Sequence, residues 1–537
     1  MKNKFFAKFF AASVLSVAAF SFSGCGKKGG AAANDISAHI PSNASAVFML
    51  NAGQLMQKMD YAAVKQLEIF KKALADAPEQ LKPILEDPNA SGLDMSKKWM
   101  GFADIEQKEA TTDMVVFMAP IKDAAKFEAL VKQIAEKNGG KIEDKAGIKQ
   151  ISTDPKSVLA WNGTMMLVVG IAEDAPAADK DTKIANFFKP AANSVSQNAD
   201  FAKRNGENKD LALWVNAEPI VKAMLASAEG AQIKTGLGAA GLTEADLMQN
   251  TFTAYQDFQN GKAEAGIEYT FSAGLKKQYG AWFKEKPSQD FSKFLPAQNS
   301  IVALSAAIDL KAIHASLAKF GVTSMADMQL AMAGVTTEQI AAAIGGEGAV
   351  SIHFDAANTA MPFGVSFVST IADKAGFDKL VAIARGAIPT SGKFSIPTPA
   401  GVTLSGFIDD KTFAVGTVAG YGDKVAGGGY SGAESFSLKN LQTGWLGYDV
   451  NMDALAKAAE SNPDLLSKFT GSTGGGVNPF AGLKEYSHAF GYVGTKDAKN
   501  DVTFKNSSKN ALYLSIELIN KAFVEAEKAK GEQAPPM

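Results

Sequence analysis

The strongest constraint on the fold of this chain is an internal repeat. Residues 121–131 and 371–381 match at six of eleven positions, at a constant offset of 250 residues. Each copy follows an apolar run typical of a strand. An aspartate suited to cap a helix comes next (Asp123 or Asp373), and apolar residues at helical spacing follow it. The repeat predicts that the 537-residue chain folds as two copies of one design.

The match extends in both directions and predicts two halves, residues 39–290 and 291–530. Inside each half a shorter motif occurs twice: a strand ends in an aliphatic residue, an Asn or Asp follows, and a helix begins. Four side chains are therefore predicted to cap helices: Asn51, Asn216, Asp309 and Asn451. A second repeated mark is a glycine followed by an aliphatic and a capping residue, at Gly92, Gly241, Gly334 and Gly476. The alternative explanation is that unrelated helices begin with the same residue types without any duplication.

The order of elements predicts an α+β fold. Each half is expected to contain two units of strand, helix, helix, strand, strand, helix. Asn260-Gly261, between two strand-like runs, is typical of a tight hairpin turn. Hairpins joined by helices favour largely antiparallel sheets over a doubly wound parallel sheet. The last helix is predicted over residues 507–528.

Residues 1–24 have the three-part pattern of an export signal, with lysines first, an apolar stretch at 9–20 and small residues at the end. The apolar stretch is too short to cross a bilayer permanently. Cys25 is the only cysteine and follows Ser23-Gly24, so we predict a lipoprotein signal cleaved between Gly24 and Cys25. An ordinary secretory signal with an incidental cysteine is the alternative. The pattern resembles lipobox signals, which implies diacylation and then N-acylation of Cys25 and a firm anchor.

Composition limits the partners and the source of stability. With its single cysteine predicted to be acylated, the mature chain has no disulfide, and the 46% of apolar residues must supply a large core. The net charge of −2, with both signs well mixed, argues against nucleic acid as a partner. Residues 25–38 are predicted to be an acylated, flexible tether, and residues 531–537 a loose tail.

No motif predicts a cofactor, a metal site or a catalytic residue. Gly236, Gly238 and Gly241 match a dinucleotide-binding spacing, but a helical stretch precedes them where that motif requires a strand. The histidines lack the spacing of metal ligands: His39, His314, His353 and His488. The best polar cluster is Ser351, His353 and Asp355, which alternate along one predicted strand; a half-exposed strand face is the expected explanation.

Two sets of side chains are candidates for binding surfaces. One is a stripe along a predicted helix face, Met325, Met328 and Met332, for which packing in a core or interface is expected and a soft-metal site is the alternative. The other is the set of tryptophans, Trp99, Trp161, Trp214, Trp282 and Trp445, which could stack on a glycan or peptide. Trp214 and Trp445 are expected in the core, whereas Trp161, beside a turn, is the candidate for exposure.

From Ile40-Pro41 through Leu50-Asn51, the mature chain resembles a family of large lipoproteins of unknown function from Bacteroidota-type bacteria. The family combines a lipobox with a proline-led strand that enters a helix. The resemblance covers nearly the whole chain and implies a cell-envelope lipoprotein, with no established activity and no catalytic residues. Surface-exported lipoproteins of that phylum often carry acidic residues after the cysteine. Lys27-Lys28 here favour the periplasmic face, and Gly26 favours the outer membrane.

These observations predict a non-enzymatic, membrane-anchored envelope lipoprotein that serves as a scaffold or binding protein. Its partners are expected to be the membrane, through acyl chains on Cys25, and an envelope protein or glycan. The expected location is the periplasmic side of the outer membrane, with surface display as the alternative. A glycan- or peptide-binding accessory of a nutrient-uptake system is the second hypothesis, and it calls for an exposed aromatic platform in the cleft between the halves. An envelope hydrolase with an unrecognised site is the third.

Overall fold

The computed structural model shows an α+β protein with antiparallel sheets, which confirms the predicted fold class. It describes residues 35–105, 112–154, 157–171, 180–297, 299–319, 321–354, 362–383, 388–398, 401–431, 439–461 and 481–532. Several predictions concern residues outside these ranges: the signal and most of the tether with Gly24 and Cys25, Asp355, Gly476, and the last five residues of the tail.

Nineteen strands lie within the described residues. They are β1 (Ala46–Asn51), β2 (Lys98–Ile105), β3 (Thr112–Pro120), β4 (Glu143–Lys145), β5 (Ile148–Asp154), β6 (Ser157–Trp161), β7 (Met165–Ile171), β8 (Leu211–Asn216), β9 (Thr251–Gln259), β10 (Lys262–Thr270), β11 (Ser300–Ala307), β12 (Ile344–Phe354), β13 (Phe363–Ile371), β14 (Gly392–Pro397), β15 (Thr403–Ile408), β16 (Thr412–Gly416), β17 (Leu446–Asn451), β18 (Tyr486–Val493) and β19 (Asp497–Phe504).

Eighteen α-helices lie within the same residues. They are α1 (Ala52–Lys58), α2 (Tyr61–Val64), α3 (Glu68–Asp76), α4 (Lys82–Glu86), α5 (Ala124–Asn138), α6 (Lys180–Phe187), α7 (Ala199–Gly206), α8 (Ala217–Ala226), α9 (Gly230–Ala240), α10 (Glu244–Met248), α11 (Ala273–Trp282), α12 (Leu310–Lys319), α13 (Thr323–Ala331), α14 (Thr337–Ala343), α15 (Lys374–Ile383), α16 (Tyr421–Ala426), α17 (Met452–Ser461) and α18 (Ala511–Glu532).

The chain forms two compact units. The first unit comprises residues up to Thr235, Glu244–Ser272 and the residues from Asn506 onward, and the second comprises Gly236–Thr243 and Ala273–Lys505. These limits differ from the predicted halves, 39–290 and 291–530, because each half ends in a helix that belongs to the other unit. Helical periodicity identifies such a helix but not the sheet it packs on.

Contacts within each unit show why the closing helices are placed this way. In the second unit, Trp282 Nε1 of α11 donates a hydrogen bond to Ser316 Oγ at 2.9 Å. In the first unit, Asn510 Nδ2 donates to the Phe258 carbonyl at 3.1 Å, and Leu512 and Tyr513 of α18 join the core. Helix α18 continues to Glu532, so its last two residues are those predicted to begin the loose tail.

Both units pair their strands in the same order. The first sheet runs β5, β6, β7, β3, β2, β1, β8, β9, β10, with β4 added beside β5, and every pair is antiparallel. The second sheet runs β14, β15, β16, β13, β12, β11, β17, β18, β19, again antiparallel throughout. Each unit therefore places its first strand in the middle of its sheet.

The sheet of the first unit has a core on each face. Successive side chains of a strand point to opposite faces, so Val47 and Met49 of β1 enter one core and Leu50 enters the other. Full burial of one such side chain contributes about 1.5–3 kcal/mol to stability. The second unit has smaller clusters, the largest built around Phe291, Leu295 and Tyr421.

Candidate functional site

The four predicted capping side chains all accept a hydrogen bond from a backbone N–H near the start of the helix that follows them. The bonds are Gln54 N to Asn51 Oδ1 at 3.3 Å, Glu218 N to Asn216 Oδ1 at 3.1 Å, Ala312 N to Asp309 Oδ1 at 2.9 Å and Ala454 N to Asn451 Oδ1 at 3.0 Å. Such caps satisfy N–H groups that have no partner inside the helix.

The glycine mark also has a local physical cause. Gly92, Gly241 and Gly334 have φ of +79°, +70° and +75°, a region that residues with a Cβ rarely adopt. At Gly92 a Cβ would also lie 2.5 Å from the carbonyl oxygen of Asp123. These glycines let the chain turn sharply.

Within the described part of the chain, a cavity of about 490 Å³ opens on the first unit and is a candidate ligand site. Its lining comes from separate parts of the chain and is polar apart from Met248. The residues are Ser42, Asn193, Ser194, Gln197, Asn198, Asn216, Glu218, Met248, Gln249, Asn250 and Thr251. Only Asn216 was singled out from the sequence, as a cap. The concentration of Asn, Ser and Gln at 193–198 was the signal that could have indicated the others.

Backbone hydrogen bonds bring the lining segments together. Ser42 N donates to the Asn193 carbonyl at 3.0 Å, which holds the 193–198 segment against the start of the unit. Asn198 Oδ1 accepts from the N–H groups of Asp200 and Phe201, the second and third residues of α7, at 3.0 and 3.1 Å. On the opposite side, Ala217 N donates to the Asn250 carbonyl at 3.0 Å. The cavity wall is therefore fixed at several points.

The floor of the cavity is buried and largely committed to internal hydrogen bonds. Ser194, Asn216 and Asn250 are all buried. Asn250 Oδ1 accepts from Ser272 N at 2.8 Å, while Asn250 Nδ2 donates to the carbonyls of Asp246 and Leu247 at 2.7 and 2.6 Å. These bonds occupy the side-chain amide of Asn250, so Asn250 forms part of the floor. Hydrogen bonds to a ligand would come from the residues of the rim.

The rim carries amide groups that are available to a ligand. Asn193, Gln197 and Gln249 are exposed, and their side chains form no hydrogen bond within the described part of the chain. The carboxylate of the lining is Glu218, whose Oε1 lies 2.6 Å from Lys222 Nζ. Neutral amides donate and accept hydrogen bonds but do not serve as general bases or nucleophiles at neutral pH, so this arrangement suits binding.

A partly buried hydrogen-bond network supports the cavity wall. Asp200 Oδ2 accepts from Trp214 Nε1 at 3.1 Å and from Thr251 Oγ1 at 2.6 Å, and Thr251 lines the cavity. Burial acts to raise the pKa of Asp200, but the hydrogen bonds from Thr251, Trp214 and Thr270 hold that pKa below its ordinary value. Asp200 is therefore a charged anchor for three neighbouring strands, β8, β9 and β10.

A charged cluster in the first unit lies apart from the cavity lining. Lys58 Nζ is 2.7 Å from Asp210 Oδ2 and 2.7 Å from Asp257 Oδ1. Burial raises the pKa of Asp210 to about 6. For Asp257, burial acts in the same direction, but the hydrogen bond from Lys58 lowers the pKa overall. Ion pairs that join distant segments also shift pKa values in this way, so the shift alone does not identify a catalytic site.

The structure brings Ser351 and His353 together, with Ser351 Oγ 2.8 Å from His353 Nε2. Both side chains are buried, so they do not form the half-exposed face that the sequence predicted. A serine nucleophile must reach a substrate as well as a base. The buried Ser351 does not meet that requirement, and Asp355, its predicted companion, lies outside the described residues.

A second histidine arrangement was not predicted. His314 Nε2 is 2.9 Å from Thr337 Oγ1, and Asp327 Oδ1 accepts from both Thr337 N and Thr337 Oγ1 at 2.7 Å. The hydrogen bonds from Thr337 lower the pKa of Asp327, so its carboxylate is charged and can only accept. The single hydroxyl proton of Thr337 therefore points to Asp327, and His314 donates to Thr337 instead of acting as its base. The contact joins three helices.

The other two histidines lie in separate places. His39 Nδ1 is 3.1 Å from the Phe187 carbonyl, and His488 Nδ1 is 3.5 Å from Asp449 Oδ1. No cluster of three or more His, Cys, Asp or Glu side chains suited to a metal ion lies within the described ranges.

We expect His488 to titrate above its ordinary pKa of 6.5, because the carboxylate of the buried Asp449, 3.5 Å from His488 Nδ1, stabilises the charged imidazole. The stability that this pair contributes should be fully present below about pH 6.5 and should be lost as the pH rises through the raised pKa. NMR titration of the imidazole measures it, with Asp449→Asn as the control that returns the pKa towards 6.5. Titration of native His488 at or below 6.5 would contradict the assignment.

The methionine and tryptophan predictions have mixed outcomes. Trp214 is buried, as predicted. Trp161 is also buried, so its predicted exposure is wrong; its ring packs edge-on against Phe127 at 6.1 Å between centroids. Asn162 and Thr164 make the turn, and the indole points back into the core. Met325, Met328 and Met332 are exposed, so burial in a core is ruled out for them.

Comparison with known proteins identifies a family but indicates no activity. No curated protein matches the sequence. Crystal forms I and III of TP0453 are similar to part of the chain, both with a TM-score of 0.26 and with sequence identities of 9% and 7%. The alignments cover 45% and 48% of this chain and 81% and 91% of those chains. At these TM-scores the likeness carries no conclusion about fold or function.

A family model described as a domain of unknown function matches residues 37–355, which is more than half of the chain. The protein therefore belongs to the family defined by this domain, DUF4836.

Proposed function

We propose that the protein is a lipid-anchored envelope binding protein whose first unit holds a neutral, hydroxyl-rich ligand of the glycan class in the cavity. The observation that carries this proposal is the uncharged amide rim formed by Asn193, Gln197 and Gln249. The family supplies no activity, so the proposal rests on the chemistry of the site.

The size and polarity of the cavity support a polar ligand. Its volume of about 490 Å³ falls within the range of roughly 300–1,000 Å³ typical of small-molecule sites. Most such sites are lined by apolar and aromatic groups, whereas this lining is dominated by amides and hydroxyls. Sugar hydroxyls both donate and accept hydrogen bonds, as side-chain amides do. The hydroxyls of a short oligosaccharide can therefore form hydrogen bonds with the amides of the cavity wall.

A glycan fits the site better than a peptide does. Extended peptides usually add to the free edge of a sheet, whereas these lining residues come from loops, helix ends and the paired ends of β8 and β9, which both lie inside the sheet. The lining residues include no aromatic side chain, so hydrogen bonds would carry recognition here instead of the aromatic platform expected from the sequence.

Screening the full chain against an array of neutral oligosaccharides tests the cavity. We expect Gln197→Ala combined with Gln249→Ala to weaken binding about tenfold, because each lost hydrogen bond contributes about 0.5–1.5 kcal/mol. Both side chains are exposed, so the fold should be unaffected. The matched control removes two exposed glutamines outside the lining, Gln232→Ala with Gln329→Ala, and should bind normally. Equal binding by all three proteins would contradict the proposal.

The proposed anchor is the acylated Cys25, and the proposed location is the periplasmic side of the outer membrane. The signal pattern at residues 1–24 and the basic Lys27-Lys28 support these assignments. Within the part of the chain that the structure describes, no helix is both long and apolar enough to span a bilayer.

The shared strand order of the two units supports an origin of the two units by duplication.

Labelling cells with a fatty-acid analogue tests the anchor. We expect the native chain to incorporate the label and to sediment with membranes, and we expect Cys25→Ala to lose both properties. An unlabelled native protein, or a Cys25→Ala protein still bound to membranes, would overturn the assignment.

A further inference from the structure

The most exposed large apolar side chains of the second unit lie on one helix. Met325, Met328 and Met332 have 68%, 71% and 96% of their surface exposed, more than any other large apolar side chain in the described part of the chain. Methionine is normally among the buried residue types, so three such exposures in eight residues call for a specific cause.

Helix geometry places the three thioethers together. Met325 and Met328 belong to α13, and Met332, its C-terminal cap, keeps a helical backbone with φ −64° and ψ −27°. Residues at positions i, i+3 and i+7 share one face of a helix, and neighbouring side chains there are about 5–6 Å apart at Cβ. The long, flexible methionine side chains allow the three sulfur atoms to converge over that face.

The oxygen and nitrogen atoms near this helix that could bind a harder cation already form hydrogen bonds. Asp327 Oδ1 accepts two hydrogen bonds from Thr337, and His314 Nε2 is bonded to the Thr337 hydroxyl. A cation at this face would therefore meet sulfur donors. Thioethers select soft monovalent cations such as Cu(I), whereas calcium and magnesium require oxygen ligands.

We propose that Met325, Met328 and Met332 form a surface site for a soft monovalent cation, Cu(I) or Ag(I). The site is independent of the cavity in the first unit. Val322, three residues before Met325, is exposed as well. An apolar docking surface for a lipid bilayer is the competing explanation, and the choice of substitutions separates the two.

Titration of the full chain with Cu(I) held by a chromogenic competing chelator tests the site. The Cys25→Ala background removes the only cysteine, whose thiol would compete for the metal in any protein that escapes acylation. We expect one equivalent of Cu(I) to bind, and we expect replacement of all three methionines by leucine to weaken binding at least tenfold. Leucine keeps the size and apolar character and removes the sulfur. Met224→Leu, at a lone exposed methionine of the first unit, is the matched control and should bind as the parent does.

Failure of the parent chain to bind Cu(I), or equal binding by the triple leucine variant, would overturn the proposal. The same proteins are then mixed with phosphatidylcholine vesicles. The proposal expects no sedimentation with the vesicles by either protein. Sedimentation that survives the leucine substitutions and disappears when the three methionines become glutamine would identify an apolar docking surface instead.

Discussion

Replacing Lys58 with alanine is expected to lower the free energy of unfolding by about 3 kcal/mol at pH 7, because removal of one partner leaves a buried charge uncompensated. Asp210 is fully buried and lies 2.7 Å from Lys58 Nζ. It also accepts a hydrogen bond from Phe258 N at 2.6 Å, which alone does not replace a cation. Denaturant unfolding of the native and variant chains measures the difference.

The penalty should also depend on pH in a defined direction. Burial raises the pKa of Asp210 to about 6 in the native fold, against 3.8 for the free group. Its contribution to stability is therefore greatest below about pH 4 and is lost as the pH rises through 6. Without Lys58 the pKa of Asp210 should rise further, so the cost of Lys58→Ala should shrink between pH 7 and pH 4 as the carboxyl takes up a proton.

A matched control separates this effect from the general loss of a lysine. Lys71 pairs with Glu68 at 2.8 Å, but both side chains are largely exposed. Lys71→Ala should therefore cost no more than about 1 kcal/mol. A loss below about 1 kcal/mol for Lys58→Ala, or an equal loss at both pH values, would show that the cluster does not act as described.

Replacing Trp214 with alanine is expected to cost about 3–5 kcal/mol, the usual loss for a large buried aromatic residue. Trp214 is fully buried, and its ring meets Phe201 edge-on at 5.4 Å between centroids. Its indole N–H also donates to Asp200 at 3.1 Å. The substitution removes both the packed volume and one of the bonds that hold Asp200 beneath the cavity wall.

Trp214→Phe divides the two contributions. Phenylalanine keeps most of the ring volume and removes the N–H, so about 1.5–3 kcal/mol should be lost, as for a hydrogen bond to a charged group. We expect both the free energy of unfolding and the glycan affinity to be highest for the native protein, lower for Trp214→Phe and lowest for Trp214→Ala. A phenylalanine variant as unstable as the alanine variant would contradict the division between packing and hydrogen bonding.

Local chemistry explains which parts of the fold were predictable. Asn51, Asn216, Asp309 and Asn451 are readable as caps because a cap depends on a few consecutive residues. The repeated glycine at Gly92 is recognisable for the same reason, whereas its left-handed backbone is a finding of the structure. The α+β class follows from the order of hairpins and helices, which is also a property of neighbouring residues.

Contacts between distant segments explain the rest. The sequence gives no means of knowing that α18 packs in the first unit or that Trp161 turns inward from its hairpin. The cavity was missed because Ser42, Asn193, Asn216 and Gln249 meet only after the sheet and its loops are assembled. The exposure of Met325, Met328 and Met332 is likewise a property of packing, since the same helical spacing is typical of a buried face.

The central claim is that the amide-lined cavity of the first unit holds a neutral glycan. A crystal structure of the full chain, grown with a saturating amount of the oligosaccharide that binds best on the array, tests it most directly. The account predicts sugar density in the cavity, with hydroxyls within hydrogen-bonding distance of the side-chain amides of Asn193, Gln197 and Gln249. Sugar bound elsewhere on the protein, with the cavity holding water alone, would contradict it.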